Sequence, residues 1–264
     1  MTTSVAAASE DERLRILVIQ PDILDGPERL IPWMQDRGAT INVIPGPSAA
    51  TSSLTGYDGL VVMGGSMGDA DTLQYPWLES IRQLLREAHD GDIPTLGICL
   101  GSQLMATALG GEVRIGSRGL EAGIARLTKT HAAATDPLLA SLPQSFLAAE
   151  MHYDAITSLP PQASLLAGGE KYPNQVFRSR LSWGVQFHPE ISPATYRTWI
   201  QAISSPSDGT VDQQGHGVDD VETLDPVIAA SSAALIGNFV EVVRDNHGVA
   251  PVRNNASATV CSEL

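Results

Sequence analysis

Cysteine, positive charge and long uncharged runs are all scarce in this chain of 264 residues. Cysteine occurs twice, at Cys99 and Cys261. No basic segment followed by an apolar stretch and a cleavage site opens the sequence, so a disulfide-framed secreted product is disfavoured and a cytoplasmic protein is expected. Sixteen Lys and Arg stand against thirty Asp and Glu, a formal charge of -14 with a pI near 4.7. Such a surface repels phosphate polyanions and anionic lipid, which argues against nucleic acid and membrane as partners. Between Ser205 and Leu264 nine acids face only Arg244 and Arg253, so half of the excess negative charge lies there. The histidines His89, His131, His216 and His247 lack metal-ligand spacing, and neither a metal nor a cofactor is expected. Aromatic residues amount to 5%, yet 43% of the chain is apolar. That is ample for the core of one large domain or two small ones.

One uncharged stretch, Ile93 to Gly111, is long enough to raise the question of a membrane span. Its glycines, with Ser102 and Gln103, favour a buried strand, a tight turn and a packed helix instead. The rest of the chain supports that reading. Residues 1–13 are small and polar and read as a disordered arm. Ile16 to Ile19 is an apolar run of the kind a strand shows when both faces are covered. A helix follows Asp25-Gly26-Pro27, with Leu30, Ile31 and Met34 on one face, and Gly38 stops it. Thr40 to Ile44 and Gly59 to Met63 are further strands. Pro76 opens a helix whose stripe is Leu78, Ile81, Leu84, Leu85 and Ala88. Thr95 to Ile98 is a strand and Ser102 to Leu109 a helix.

Alternation of this kind implies an α/β fold, a three-layer, doubly wound and mainly parallel sheet. From about 113 to 187 short strand-like pieces separated by Pro and Gly turns take over. A helix begins near Pro193. A polar linker at about 204–220, a helix at about 222–245 and a flexible tail at 246–264 complete the expected plan. Residues 14–245 are thus read as a single domain.

Gly97-Ile98-Cys99-Leu100-Gly101 joins the expected strand to the expected helix, the setting of a nucleophile elbow with sulfur in place of oxygen. The turn crowds its central residue against backbone, so glycines two positions to either side leave room. At a helix start, unpaired N–H groups and the helix dipole favour a thiolate. A thiol nucleophile needs a base, and Trp183-Gly184-Val185-Gln186-Phe187-His188-Pro189-Glu190 offers His188 at the end of a strand. His188 can take the thiol proton and return it to a leaving amine, while Glu190 can hold the far ring nitrogen. Alone, each of these segments also fits an inert structural residue; together they are specific.

With these residues the chain resembles the class I, triad-type glutamine amidotransferases, especially stand-alone members similar to the amidotransferase half of GMP synthetase. The likeness is carried by GGSMGD (64–69), PTLGICLGSQLMATALGG (94–111), MHYDAI (151–156), YPNQVF (172–177) and WGVQFHPE (183–190), and it covers about residues 14–203. The resemblance implies a flavodoxin-like sheet with Cys99 as nucleophile, His188 as general base and acid, and Glu190 orienting His188. It further implies an oxyanion hole from the backbone of Leu100 and Gly65. Gln103 and the segment Met151, His152, Tyr153 would hold the amino-acid end of the substrate. The implied reaction is attack on the side-chain amide of glutamine, loss of ammonia from a γ-glutamyl thioester, and hydrolysis to glutamate.

Three positions depart from the family pattern. The glycine turn lacks the proline that usually follows the paired glycines, Tyr153 stands where glycine is common, and Tyr172 where cysteine is frequent. The last two fall in the half of the site that reads substrate beyond its amide.

Three functions therefore compete. The first is a glutaminase whose ammonia feeds a separate synthetase, since the chain has no Walker-type loop of its own. The second is a free-standing hydrolase of other γ-glutamyl amides. The third is a silent binding protein, against which the intact Cys99, His188 and Glu190 count. A homo-oligomer is left open. Asp69, Asp71 and Glu150 are weighed as contacts for a substrate ammonium, and Trp33, Trp77, Trp183 and Trp199 as core or interface. A fold alternative, the cysteine-elbow chaperone and protease-like proteins, lacks the His-Pro-Glu strand end.

Overall fold

The computed structural model of the protein describes residues 13–203 and 217–248. The expected arm, most of the expected linker, His216 and Cys261 lie outside them. The parallel half of the molecule begins with β1 (Leu14–Gln20), α1 (Leu30–Gln35), β2 (Ala39–Pro45) and β3 (Gly59–Val62). It continues with α2 (Trp77–Asp90), β4 (Thr95–Ile98) and α3 (Leu100–Ala108). The second half holds β5 (Glu112–Ile115), β6 (Glu121–Lys129), β7 (Ser145–His152), β8 (Asp154–Ser158), β9 (Ser164–Gly168), β10 (Val176–Ser179) and β11 (Ser182–Val185). Two helices close the described chain, α4 (Pro193–Ile203) and α5 (Val218–His247).

Nine strands form one sheet in the order β2-β1-β3-β4-β11-β10-β9-β6-β7, and β5 and β8 form a separate pair. From β2 to β11 every neighbour is parallel; from β11 outward the strands are antiparallel. The apolar runs explain the parallel half. Along β1, Ile16 and Val18 enter one core and Leu17 and Ile19 the other, because successive side chains of a strand leave opposite faces. The first core is roofed by Leu30 and Met34 of α1 with Leu235, Ile236 and Phe239 of α5. The second is roofed by Leu78, Ile81 and Leu85 of α2 with Leu100 and Leu104 of α3. This is a three-layer sandwich with helices on both sides, as the alternating pattern implied.

Differences from the expected elements are local. The helix after the elbow starts at Leu100 rather than Ser102, so Cys99 itself is the turn. The last helix starts at Val218 and ends at His247, which moves Val218 to Asp220 out of the expected linker and Asn246 and His247 out of the expected tail. β5 and β8, absent from the expected strands, pair across a register shift at Glu112/Val113 and carry few long apolar residues, so their periodicity is faint. The uncharged stretch 93–111 is β4, the elbow and buried α3. α5 is long and apolar enough to cross a membrane by composition, but its apolar residues Leu235, Ile236, Phe239, Val240 and Val243 lie in the core against the sheet.

That packing is testable. Phe239 is fully buried, and Phe239→Ala should lower unfolding free energy by about 3–5 kcal/mol, read as a reduced urea midpoint with an unchanged slope. No loss would mean that α5 does not dock on the sheet.

Candidate active site

The site is assembled where β4 and β11 end side by side. These strands pair in parallel, with Val185 opposite Ile98, so the residues that follow each strand emerge at one edge of the sheet. Cys99 follows Ile98, and its backbone holds φ 48° and ψ -108°, a region a side chain rarely adopts. Neighbours over-determine it. Its N–H donates to Val185 O at 2.9 Å, and its carbonyl accepts the N–H groups of Ser102 and Gln103 at 3.0 Å each and the Ser102 hydroxyl at 2.9 Å. The flanking glycines are required by contact: a Cβ on Gly97 would lie 2.6 Å from the Gly101 carbonyl oxygen, and one on Gly101 would lie 2.1 Å from the Val62 carbonyl oxygen.

The sulfur sits 3.9 Å from the Met151 carbonyl. It also receives the side-chain N–H of Gln186 at 3.7 Å. Gln103 is buried and donates to the Asp154 carbonyl at 3.0 Å and to Gln186 Oε1 at 3.4 Å. Gln103 thereby holds the Gln186 amide against Cys99, a link that the sequence motifs did not reveal.

His188 is buried beside Cys99. Its backbone N–H donates to the Ala149 carbonyl at 2.9 Å, Nδ1 lies 2.6 Å from Glu190 Oε1, and Trp199 of α4 meets the ring edge-on with centroids 4.8 Å apart. Burial alone would push the imidazole pKa down, but the Glu190 charge, followed by the charge and hydrogen bond of Cys99, carries it well above the ordinary histidine value. Glu190 holds a proton on Nδ1 and leaves Nε2 as the other exchangeable atom of the ring. Cys99, His188 and Glu190 thus converge from segments that are far apart in the chain.

Leu100 and Gly101 supply the first N–H groups of α3, which no carbonyl within the helix can accept. Gly65 lies against Leu100: a Cβ there would be 3.1 Å from Leu100 Cδ2 and 2.8 Å from Met67 Sδ. The glycine turn after β3 thus packs against the first residue of α3. Tyr153 is 53% exposed and its carbonyl accepts the Gly116 N–H at 2.8 Å.

Other expected contacts fall elsewhere. Asp69 is buried and bonded to Arg82 at 3.0 Å and to Thr107 at 2.9 Å, so it ties α2 to α3. Asp71 accepts the Gly68 N–H at 2.7 Å within its own loop. Tyr172 is buried, donating to the Gly119 carbonyl at 2.6 Å and accepting the Arg118 N–H at 3.1 Å. It packs on His152 with ring centroids 5.4 Å apart and so braces that side chain.

The His152 ring also turns away from the sulfur. Nδ1 donates to the Asp154 carbonyl at 2.8 Å, and Nε2 lies 2.9 Å from Glu121 and 3.4 Å from Glu150. Burial opposes a charge on the ring, but hydrogen bonds to Glu121 and Glu150, with the charges of Glu150 and Cys99, raise its pKa to about 10. Glu150, wholly buried, is pushed up by that burial and only partly relieved by His152. Glu121 also accepts the Gln175 amide at 2.8 Å. A cavity of about 480 Å³, lined by Arg118, Lys171, Glu121 and Glu150 among others, borders this cluster rather than Cys99.

Two groups place metal-ligand atoms within 4.8 Å of one another: Asp25, His188 and Glu190, and Glu121, Glu150 and His152. In both, the imidazole is already engaged by a carboxylate, a chemistry that holds protons.

A family model described as glutamine amidotransferase class-I matches residues 28–202. The chain is 33% identical over 155 residues to gamma-glutamyl peptidase 5 of Arabidopsis thaliana, covering 56% of this chain and 59% of that one. It is 32% identical over 141 residues to one of the subunits of the glutamine-hydrolyzing GMP synthase of Methanothrix thermoacetophila, covering 53% and 70%. It spans 19% of a full-length glutamine-hydrolyzing GMP synthase from Symbiobacterium thermophilum at 45% identity. Among solved structures, a glutamine amidotransferase from Thermotoga maritima superposes with a TM-score of 0.76 at 27% identity, covering 87% of this chain and 99% of that one.

A titration tests the electrostatics. His152 carries its charge up to about pH 10 in the folded protein and up to about 6.5 when unfolded. Its contribution to stability is therefore full below about pH 6.5 and fades as pH rises towards the folded value. The His152 ring resonance should stay unshifted by NMR between about pH 6 and 9, whereas titration near the free-histidine value would refute the buried cation.

Proposed function

The chain belongs to the class I glutamine amidotransferase family, and from that membership we propose that it hydrolyses the side-chain amide of glutamine to glutamate and ammonia. The observation that carries this reading is the convergence of Cys99, His188 and Glu190 at one sheet edge, with the free Nε2 of His188 turned to the sulfur. His188 takes the Cys99 proton, and the sulfur attacks the amide carbon. The oxyanion that forms is met by the N–H groups of Leu100 and Gly65, donors of a type that contributes about 3–4 kcal/mol each where measured in other enzymes. The imidazolium then passes its proton to the leaving nitrogen, ammonia departs, and a γ-glutamyl thioester remains. His188 next draws a proton from water, which attacks the thioester and releases glutamate with return of the thiol. Glu190 keeps the ring in one tautomer throughout. Gln103 and the backbone of Met151, His152 and Tyr153 hold the amino-acid end of the substrate.

Ammonia made this way needs an acceptor, and a separate synthetase would use it; one of the subunits of a GMP synthase is among the relatives. A second reading is favoured by one observation. Tyr153 stands two residues beyond the Met151 carbonyl that meets the sulfur and is half-exposed, an aromatic face that a larger leaving group than ammonia could meet. A γ-glutamyl peptide carries such a group, and a gamma-glutamyl peptidase is also among the relatives.

Glutamate release from glutamine and from a panel of γ-glutamyl peptides and amides separates these readings. Cys99→Ala and His188→Ala should each lower release by about a thousandfold or more, while Cys261→Ala should leave it unchanged. Turnover of peptides well above glutamine would favour the second reading. No turnover on any substrate, alone or with a synthetase, would overturn both.

A further inference from the structure

The loop after β1 brings one more carboxyl into the site. Asp25 is only 5% exposed. A polar atom of each of Asp25, His188 and Glu190 lies within 4.8 Å of the others. His188 occupies Glu190 Oε1, while Glu190 Oε2 and Asp25 Oδ1 are buried without a hydrogen-bond donor. Two facing carboxylates can only repel. A single proton changes this, because it makes one carboxyl a donor and supplies the other with a bond.

The loop is fastened in place. Glu28 accepts the Ser192 N–H at 3.1 Å and the Thr195 hydroxyl, and Trp199, the residue that also packs on the His188 ring, donates from Nε1 to the Leu24 carbonyl at 3.0 Å. Room for Asp25 comes from a glycine: a Cβ on Gly64 would lie 2.1 Å from Asp25 Oδ2. The carboxyl is thus built into the space behind Glu190.

Resting on the proposed Cys99, His188 and Glu190 chemistry, we propose that Asp25 is a positioning residue, a protonated carboxyl that donates its O–H to the free oxygen of Glu190 and holds Glu190 on His188. The charges that face it are His188 and Glu190 from the segment after β11, and Asp22 from its own loop. Burial is the largest influence on Asp25 and pushes its pKa well above the ordinary aspartate value; His188 pulls it down, and Glu190 and Asp22 push it further up. A proton kept on Asp25 also balances the pocket. His188 is the one cation in this group, and when sulfur gives up its proton it must balance both Glu190 and Cys99. A third anion would have no partner there. A neutral donor steadies Glu190 without adding charge.

The test uses Asp25→Ala and Asp25→Asn in a Cys261→Ser background, with iodoacetamide alkylation of Cys99 followed by mass spectrometry across pH. Alkylation needs no substrate, so a protein that releases no glutamate still answers the question, and the two readings fail separately. Asp25→Ala should slow alkylation at neutral pH by about tenfold or more, the value of a hydrogen bond to a charged group, and move the acid limb of the profile upward. Asp25→Asn, whose amide still donates but cannot ionise, should restore most of the rate and the position of that limb. An Asn variant as slow as Ala would mean that an ionised carboxylate is needed and would overturn the proposal, as would an Ala variant matching the parent. If Asp25→Ala does not fold by circular dichroism, the Asn profile decides alone, by matching the parent or falling away from it.

Discussion

The parallel pairing of β4 with β11 is the contact on which the rest of the site depends. Parallel strands deliver their C-terminal ends to the same edge of a sheet. With Ile98 opposite Val185, the residues that follow, Cys99 on one strand and Gln186 to His188 on the other, leave the sheet as neighbours. A direct backbone bond from Cys99 N–H to the Val185 carbonyl at 2.9 Å joins the two ends. Shifting that register by one residue would send the chemistry-bearing side chains to opposite faces. The elbow then adds the second constraint: close backbone approach at Gly97 and Gly101 allows a non-glycine residue to be held at positive φ between them.

Around this contact the protein buries an unusual density of ionisable groups. Asp25, Glu121, Glu150, His152, His188 and Glu190 are all buried. They form two clusters, Asp25 with His188 and Glu190 beside Cys99, and Glu121 with Glu150 and His152 on β6 and β7. In each, burial opposes charge on the histidine and carboxylates overcome it. The clusters have different work. His188 has Nε2 free to exchange a proton with sulfur, whereas both nitrogens of His152 are spent on protein acceptors. His152 is thus a fixed cation that locks the 151–154 backbone, the backbone a substrate's amino-acid end would meet. Tyr172 and Gln175 brace the same cluster from the neighbouring loop.

The residues around Cys99 are drawn from both halves of the sheet. The elbow, the His-Pro-Glu segment and the glycine turn sit on the parallel half, where strands and helices are rigidly packed on both faces. Tyr153, half-exposed, and the β5–β8 pair, anchored in the core by Ile156, sit on the antiparallel half. The glycine turn, which lacks the proline common among relatives, still places Gly65 against Leu100 and Gly64 against Asp25.

Much of this was legible in the residues alone. The alternation of apolar runs with helical stripes specified a covered parallel sheet, because only that arrangement buries both faces of strands such as Ile16 to Ile19. Glycines on either side of Cys99 and the spacing of His188 and Glu190 specified the chemistry, because these are local requirements of a turn and of a strand end. What the residues could not show was which distant groups would meet them. Asp25 read as part of a helix start, Gln103 as a substrate contact and Tyr172 as a specificity position. Their partners, Glu190, Gln186 and His152, are brought to them only when the sheet closes and the loops at its edge are pinned. Local sequence determines turns and periodicity through short-range sterics and burial; the pairing of buried charges depends on long-range packing, and tertiary structure alone decided it.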